Sequence, residues 1–241
     1  LVKQADKTGE KEEMVFTVTG AIMHMNLPPI ERDPVSCHPC SGSAALTHNS
    51  SGMREKLRFL SQSITITGFN SMTFDDAINA LKEIQHTGEW EFHQGQLLKW
   101  TPNQLQGYDV LELLNRYLRS QSKTERETGI LIDNNVDPKG ILARLAGNTM
   151  VHTKENVVRY YRGIINGGKK RYMMTKPHAF RTGNIVEAQF SIVFVKCKGD
   201  NVKMKMILQA IAMINCKHMM VSTTGDHRMY MTDCYISECK P

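Results

Sequence analysis

Nowhere in these 241 residues do apolar side chains run together for the ~18 positions that a membrane-spanning helix needs. The first thirteen residues, LVKQADKTGEKEE, are charged and lack the apolar core of a secretory signal, so the expected location is intracellular, nuclear or cytoplasmic. The chain opens on Leu1 rather than Met, which leaves open that it is a fragment. There is no G-x-x-x-x-G-K-[ST] loop, no G-x-G-x-x-G after a strand, no G-x-S-x-G elbow and no H-E-x-x-H helix. Nucleotide hydrolysis, dinucleotide binding, serine hydrolysis and zinc proteolysis thus lose their usual sequence support. No catalytic residue is assigned, and the balance tilts away from an enzyme. A second C-x-x-C is missing, as is any internal repeat.

What is present is charge, unevenly placed. The net charge is +6. Residues 1–143 carry 14 Lys+Arg against 18 Asp+Glu, whereas residues 144–241 carry 16 against 6. A basic C-terminal part of that density suits a polyanion such as nucleic acid, unless it is only a solvated face. The 41% hydrophobic content is ordinary for a globular chain. Residues 1–13 read as a flexible tail and 14–241 as a single α+β domain, with a Pro/Ser-rich loop at 26–52 and a sub-boundary near 147–156. The fifteen methionines are read mostly as core filling.

The clearest local signal is Ile185–Lys196 followed by Val202–Ile214. Val186, Ala188, Phe190, Ile192 and Phe194 alternate with Glu187, Gln189 and Ser191, the period of a half-buried strand. The turn Lys198-Gly199-Asp200-Asn201 supplies residues that tolerate positive φ, so a long hairpin with a basic tip is expected. Asn156–Ile164 and Lys170–Thr175, separated by Asn166-Gly167-Gly168, form a second hairpin, and Met14–Met25 and Ser63–Phe69 read as strands. Phe74, Ala77, Ile78, Leu81 and Ile84 fall on one face of a helix capped by Thr73. Trp90–Trp100 reads as a hairpin around Gln94-Gly95. Asp109–Leu118 reads as a second amphipathic helix, and a third short one runs from Pro138 to Gly147. The expected fold class is therefore α+β, a mixed N-terminal part with two or three helices and a β-rich C-terminal part built on long antiparallel hairpins.

Two clusters carry candidate chemistry. Arg159, Tyr161, Arg162, Lys169, Lys170, Arg171 and Tyr172 crowd the smaller hairpin, and Lys196, Lys198, Lys203 and Lys205 flank the tip of the larger. Arginine and lysine reach phosphates and tyrosine stacks on bases, the combination that single-strand binders use. Against this stands a plain packing role, aromatic pairs in a sheet with arginine stems laid across them. Glu187 is expected to pair with Lys203 or Lys205 across the hairpin, which would consume part of the charge. Cys37 and Cys40 have the spacing of half a zinc site, with His24, His48 or the Cys234/Cys239 pair as completing ligands; zinc is the one cofactor left open. Cys197 and Cys216 are read as small buried thiols. Of the histidines, His152, His178, His218 and His227 lie in the β-rich part without a recognisable acid–base pattern.

Residues 138–214 hold two specific runs. The first has His152, Thr153, Asn156, Val158, Tyr160 and Tyr161; the second has Pro177, Phe180, Arg181, Gly183, Ile185, Val186 and Glu187. In these the chain resembles an uncharacterised multi-copy protein family of mushroom-forming (basidiomycete) fungi. It departs at Asn184, where that family is more often acidic, and at Cys216, where the family continues polar. The resemblance implies a fungal source and an expanded gene family with a mobile-element link; it implies no activity.

Three readings follow: a non-enzymatic module whose basic part contacts nucleic acid, single-stranded by preference since no recognition helix is seen; a protein–protein or self-assembly module, a homo-oligomer among its forms; and a metal-dependent enzyme.

Overall fold

The computed structural model describes residues 2–4, 11–33, 57–121, 129–166 and 169–215. In chain order its elements are β1 (Val2–Gln4), β2 (Lys11–Glu13), β3 (Phe16–Asn26), β4 (Ser61–Thr67), α1 (Met72–Glu89), β5 (Leu97–Leu98), β6 (Asn103–Leu105) and β7 (Tyr108–Arg116), then β8 (Arg119–Ser120), α2 (Ile141–Ala146), β9 (Met150–Val151), β10 (Arg159–Asn166), β11 (Lys169–Met174), β12 (Ile185–Lys196) and β13 (Val202–Asn215). β1 and β2 pair with each other in the segment expected to be a tail.

Five strands close on themselves. β3 pairs antiparallel with β4, β4 with β7, β12 with β3 and β12 with β13, and a parallel contact of β13 with β7 at Ile207 and Leu114 completes the ring. Counted along the chain, the order round the ring is 1-2-3-5-4-1. That is the Greek-key barrel order of the OB-fold, left partly open where strands 3 and 5 run parallel. The α+β expectation is therefore corrected to a mostly β barrel. Helix among the described residues amounts to α1, the six-residue α2, one turn at 57–59 and short 3-10 turns.

The main misreading concerns Asp109–Leu118, which is strand β7 through Arg116. Its apolar doublets, Val110-Leu111 and Leu113-Leu114, satisfy a helical period because apolar residues stand on the outer face too, Val110 buried and Leu114 half-buried. Leu111 and Leu113 are fully buried inside the barrel opposite Ile66 and Ile64, and Val110 is buried on the outer face. Strong helix formers yield here to pairing with β4 and β6. The Trp90–Trp100 hairpin is likewise absent: turns follow α1, and β5 runs parallel to the start of β13. α1 begins after Ser71 rather than at Thr73.

The β12–β13 hairpin matches its expected alternation. Val186, Ala188, Phe190 and Ile192 point inward and are buried. On β13 the inward residues switch from Met204, Met206 and Leu208 to Ile211 and Met213, because a bulge opposite Gln189/Phe190 inserts one residue. The bulge bends the strand round the barrel while keeping one face apolar. Gly199 and Asp200 both take positive φ in the turn.

Helix α1 caps one end of the barrel with Phe74, Ile78 and Leu81. Phe74 reaches the interior over Gly20 of β3. A Cβ there would lie 2.9 Å from the Thr67 carbonyl oxygen and 3.3 Å from the Phe74 ring. Gly20→Ala is expected to cost about 1–3 kcal/mol through overpacking, read as a lowered denaturant midpoint. An unchanged midpoint would mean that the helix sits more loosely than this contact implies.

A polar seam seals the barrel where β13 loses β7 as its neighbour and gains β10. Asn115 Nδ2 donates to the carbonyls of Glu155 (2.8 Å) and Leu208 (2.9 Å). Tyr160 donates to Gln62 Oε1 (2.5 Å), Gln62 donates to the Asn156 carbonyl, and Asn156 donates to the Arg116 carbonyl. The Asn156 Oδ1 accepts from the Thr153 backbone and hydroxyl, and His152 Nδ1 donates to the Tyr117 carbonyl (2.7 Å). Thus His152, Thr153, Asn156 and Tyr160 serve the fold. Phe180–Asn184 does too: Gly183 N donates to the Ile22 carbonyl and Ile22 N to that of Asn184, with Gly183 at φ 88°.

Beside the seam, Tyr117 and Leu118 pack with Leu142, Ala146 and Met150 in a second apolar cluster. The Tyr117 hydroxyl is buried without a hydrogen-bond partner among the described residues. Burial pushes its pKa far above the usual tyrosine range, and burial with the nearby Tyr117 does the same to Tyr160. Folded tyrosines that hold their protons while unfolded ones release theirs near pH 10 lose stability as pH rises past that point. Tyr117→Phe is therefore expected to be neutral or slightly stabilising at pH 7 and to flatten the alkaline fall, by about 1.4 kcal/mol per pH unit. Thermal melts from pH 8 to 11 check this; equal slopes in both proteins would refute it.

Candidate nucleic-acid interface

The parallel seam between β7 and β13 splays apart toward the start of β13, and an open cleft of ≈ 380 Å³ lies in the wedge. Its walls are the outer face of β7 (Val110, Glu112 and Leu114) and the first half of β13, with Lys203 and Lys205; the segment Leu98–Asn103 forms its third side. Three lysines, Lys99, Lys203 and Lys205, line it against one carboxylate, Glu112. Trp100 lines the cleft and, partly buried, packs against the core. Gln96 holds this segment to the hairpin: its amide donates to the Asp200 carbonyl (2.9 Å), and its own carbonyl accepts from Val202 N. Gln85, buried on α1, donates to the Leu98 carbonyl (2.8 Å) and fixes β5 from below. The cleft can take a flexible anion with a flat group beside it.

The expected basic cluster is divided by the sheet. Lys203 and Lys205 point into the cleft, and Lys196 is exposed at the end of β12. On β10, Arg159 and Tyr161 lie outward, opposite Ala210 and Ala212, whereas Tyr160 turns into the core. Arg162 shares the Tyr160 side yet is exposed, because the β10–β11 hairpin runs on past the barrel; Arg171, opposite Ile164, is on that same side. Tyr172 returns to the outward face and meets Tyr161 edge-on, with ring centroids 6.4 Å apart. The side chains of Lys169, Lys170 and Lys198 lie outside the described residues.

Glu187 corrects its expected role. Its carboxylate accepts from the Tyr172 hydroxyl (2.6 Å), while Lys203 and Lys205 stand opposite Val195 and Val193. Counted from the turn, Glu187 stands opposite Ala212, at the other end of the hairpin from those lysines. Cys197 is exposed rather than buried.

Lys99 and Trp100 are not among the site residues expected from sequence. An adjacent cation and indole is the available signal, hidden in a segment whose pattern reads as the arm of a local hairpin. Cys37, Cys40, His48, Cys216, His218, His227, Cys234 and Cys239 lie outside the described residues. Among those described, no group of three or more His, Cys, Asp or Glu side chains is placed to hold a metal ion. No helix among them is long and apolar enough to cross a membrane.

No family model matches the chain, and no curated protein matches it. Among solved structures it is similar to gp2.5, a single-stranded DNA binding protein encoded by bacteriophage T7. The TM-score is 0.41 at 12% identity, over 88% of this chain and 97% of that one.

Proposed function

We propose that the barrel binds single-stranded nucleic acid, with the backbone held by Lys99, Lys203 and Lys205 and a base against Trp100. The observation that carries this is the lysine-lined cleft at the strand 3/strand 5 seam of a 1-2-3-5-4-1 barrel, beside its strand 4–5 turn. OB barrels take oligonucleotides along their strand 2–3 face and the loop between strands 4 and 5, where edge-free sheet and adaptable loops meet. A groove of cations beside an aromatic ring holds any base by stacking and any backbone by charge. The described residues offer no basic helix shaped for a major groove, so duplex binds less well.

Fluorescence anisotropy with labelled single-stranded and duplex oligonucleotides between ~50 and 200 mM salt tests the reading. With about four phosphates neutralised, single-strand affinity falls by roughly fiftyfold over that range. A flat salt response, or no binding at the lowest salt, would overturn it.

A further inference from the structure

The lysine cleft has three unlike sides, and one group in it is at odds with the rest. β13 supplies Lys203 and Lys205, the segment Leu98–Asn103 supplies Lys99 and Trp100, and β7 supplies Val110, Glu112 and Leu114. Glu112 is exposed between two apolar residues of the same outward row, and it is the one carboxylate among the lining residues. Its charge weakens the hold of every phosphate that enters. The carboxylate is also free: among the described residues it makes no hydrogen bond and no ion pair.

The register shows what it faces. Ile207 and Leu114 are level where β13 and β7 run parallel. Two residues back along each strand, Lys205 stands level with Glu112, both on the outward side and both lining the cleft. A cation and an acceptor thus face each other across an open wedge without meeting. A ligand that spans them needs an anionic oxygen on one side and a donor on the other. A ribonucleotide carries both close together, because its 2′-hydroxyl stands on the carbon beside the 3′ ester oxygen. A phosphate held by Lys205 brings that hydroxyl toward the opposite wall, while the base goes to Trp100 on the third side. Resting on the reading above, we propose that Glu112 selects ribose over deoxyribose, so that the cleft prefers single-stranded RNA. An ionised carboxylate only accepts hydrogen bonds, and the 2′-hydroxyl is the donor that distinguishes RNA from DNA. With ribose, a charge-assisted hydrogen bond offsets the repulsion between Glu112 and phosphate; with deoxyribose the repulsion stands alone.

The test compares labelled (rU), (dU) and 2′-O-methyl (U) oligomers of about 15 nucleotides, within the span single-strand binders cover, on the full chain at one salt concentration. The base is the same in all three and has no amino group, so the comparison isolates the sugar. The expected result is about tenfold tighter binding of (rU) than of (dU). The 2′-O-methyl strand keeps the ribose pucker and loses the O–H, so it should bind no better than (dU). Glu112→Val, a residue that suits an exposed strand position, should bring the (rU)/(dU) ratio under about twofold and tighten (dU). Glu83→Gln removes an exposed carboxylate on α1 and should leave the ratio unmoved. Salt-steep binding with equal (rU) and (dU) affinities overturns the sugar selection alone. So does a preference that persists in Glu112→Val or with the 2′-O-methyl strand. Failure of all three strands to bind at ~50 mM salt overturns the nucleic-acid reading and the sugar selection with it.

Discussion

Replacing Lys203 and Lys205 together by glutamate is expected to weaken single-strand binding on the order of a hundredfold at ~100 mM salt and to flatten the salt slope by about 1.4. Both side chains line the same wall of the cleft, on the strand that also closes the barrel. They project outward, between Met204 and Met206, which fill the core. The reversal removes about two phosphate contacts and adds two carboxylates beside Glu112, so loss of attraction and new repulsion act in the same direction. Stability should change little, since an exposed or half-exposed lysine contributes little to the folded state. Lys82→Glu, on the exposed side of α1, is the control for net charge alone. An equal loss per charge at Lys82 would show a diffuse field rather than a site. Titration of both variants by anisotropy across salt separates the two.

The largest effect on stability is expected at Asn115. This buried amide spends both its protons on carbonyls of two different segments, Glu155 and Leu208, at the place where the barrel wall changes from β7 to β10. Asn115→Leu preserves volume and removes both donors. A buried carbonyl, Leu208, and a part-buried one, Glu155, then lose this donor, at about 1–3 kcal/mol each. The sum is about 2–6 kcal/mol, a fall in Tm of roughly 4–24 °C for a chain of this size. A fall under about 2 °C would mean that the seam relaxes to satisfy those carbonyls. Because none of the seam's hydrogen-bonded side chains lines the cleft, a folded variant should still bind oligonucleotide at low temperature.

How much was legible varies with how local each signal is. The β12–β13 hairpin was readable because alternation and turn chemistry agree over thirty consecutive residues. α1 was readable from its apolar stripe, although a weak N-terminal signal displaced its start by two residues. β7 was not. A strand that carries apolar residues on both faces loses its alternation, and its doublets then imitate a helix. That Tyr161 and Tyr172 share one face rests on the β10–β11 register, and the identity of their acidic neighbour rests on strand order. Glu187 reaches Tyr172 because β13 lies between β12 and β10, and strand order is a tertiary fact.

Taken alone, the sequence determined which residues face inward along the long hairpin, where the chief helix runs, and that positive charge gathers in the C-terminal part. Alternation, helical period and charge are properties of neighbouring residues, and neighbours suffice to express them. Only the tertiary structure decided that the chain closes into a barrel, that Lys99 and Trp100 join Lys203 and Lys205 in one cleft, and that an acid stands against the tyrosines. These arise from pairings between segments a hundred residues apart, such as Leu98 with Lys203. The alternation of a strand states which face it buries and leaves open which strand it will pair with.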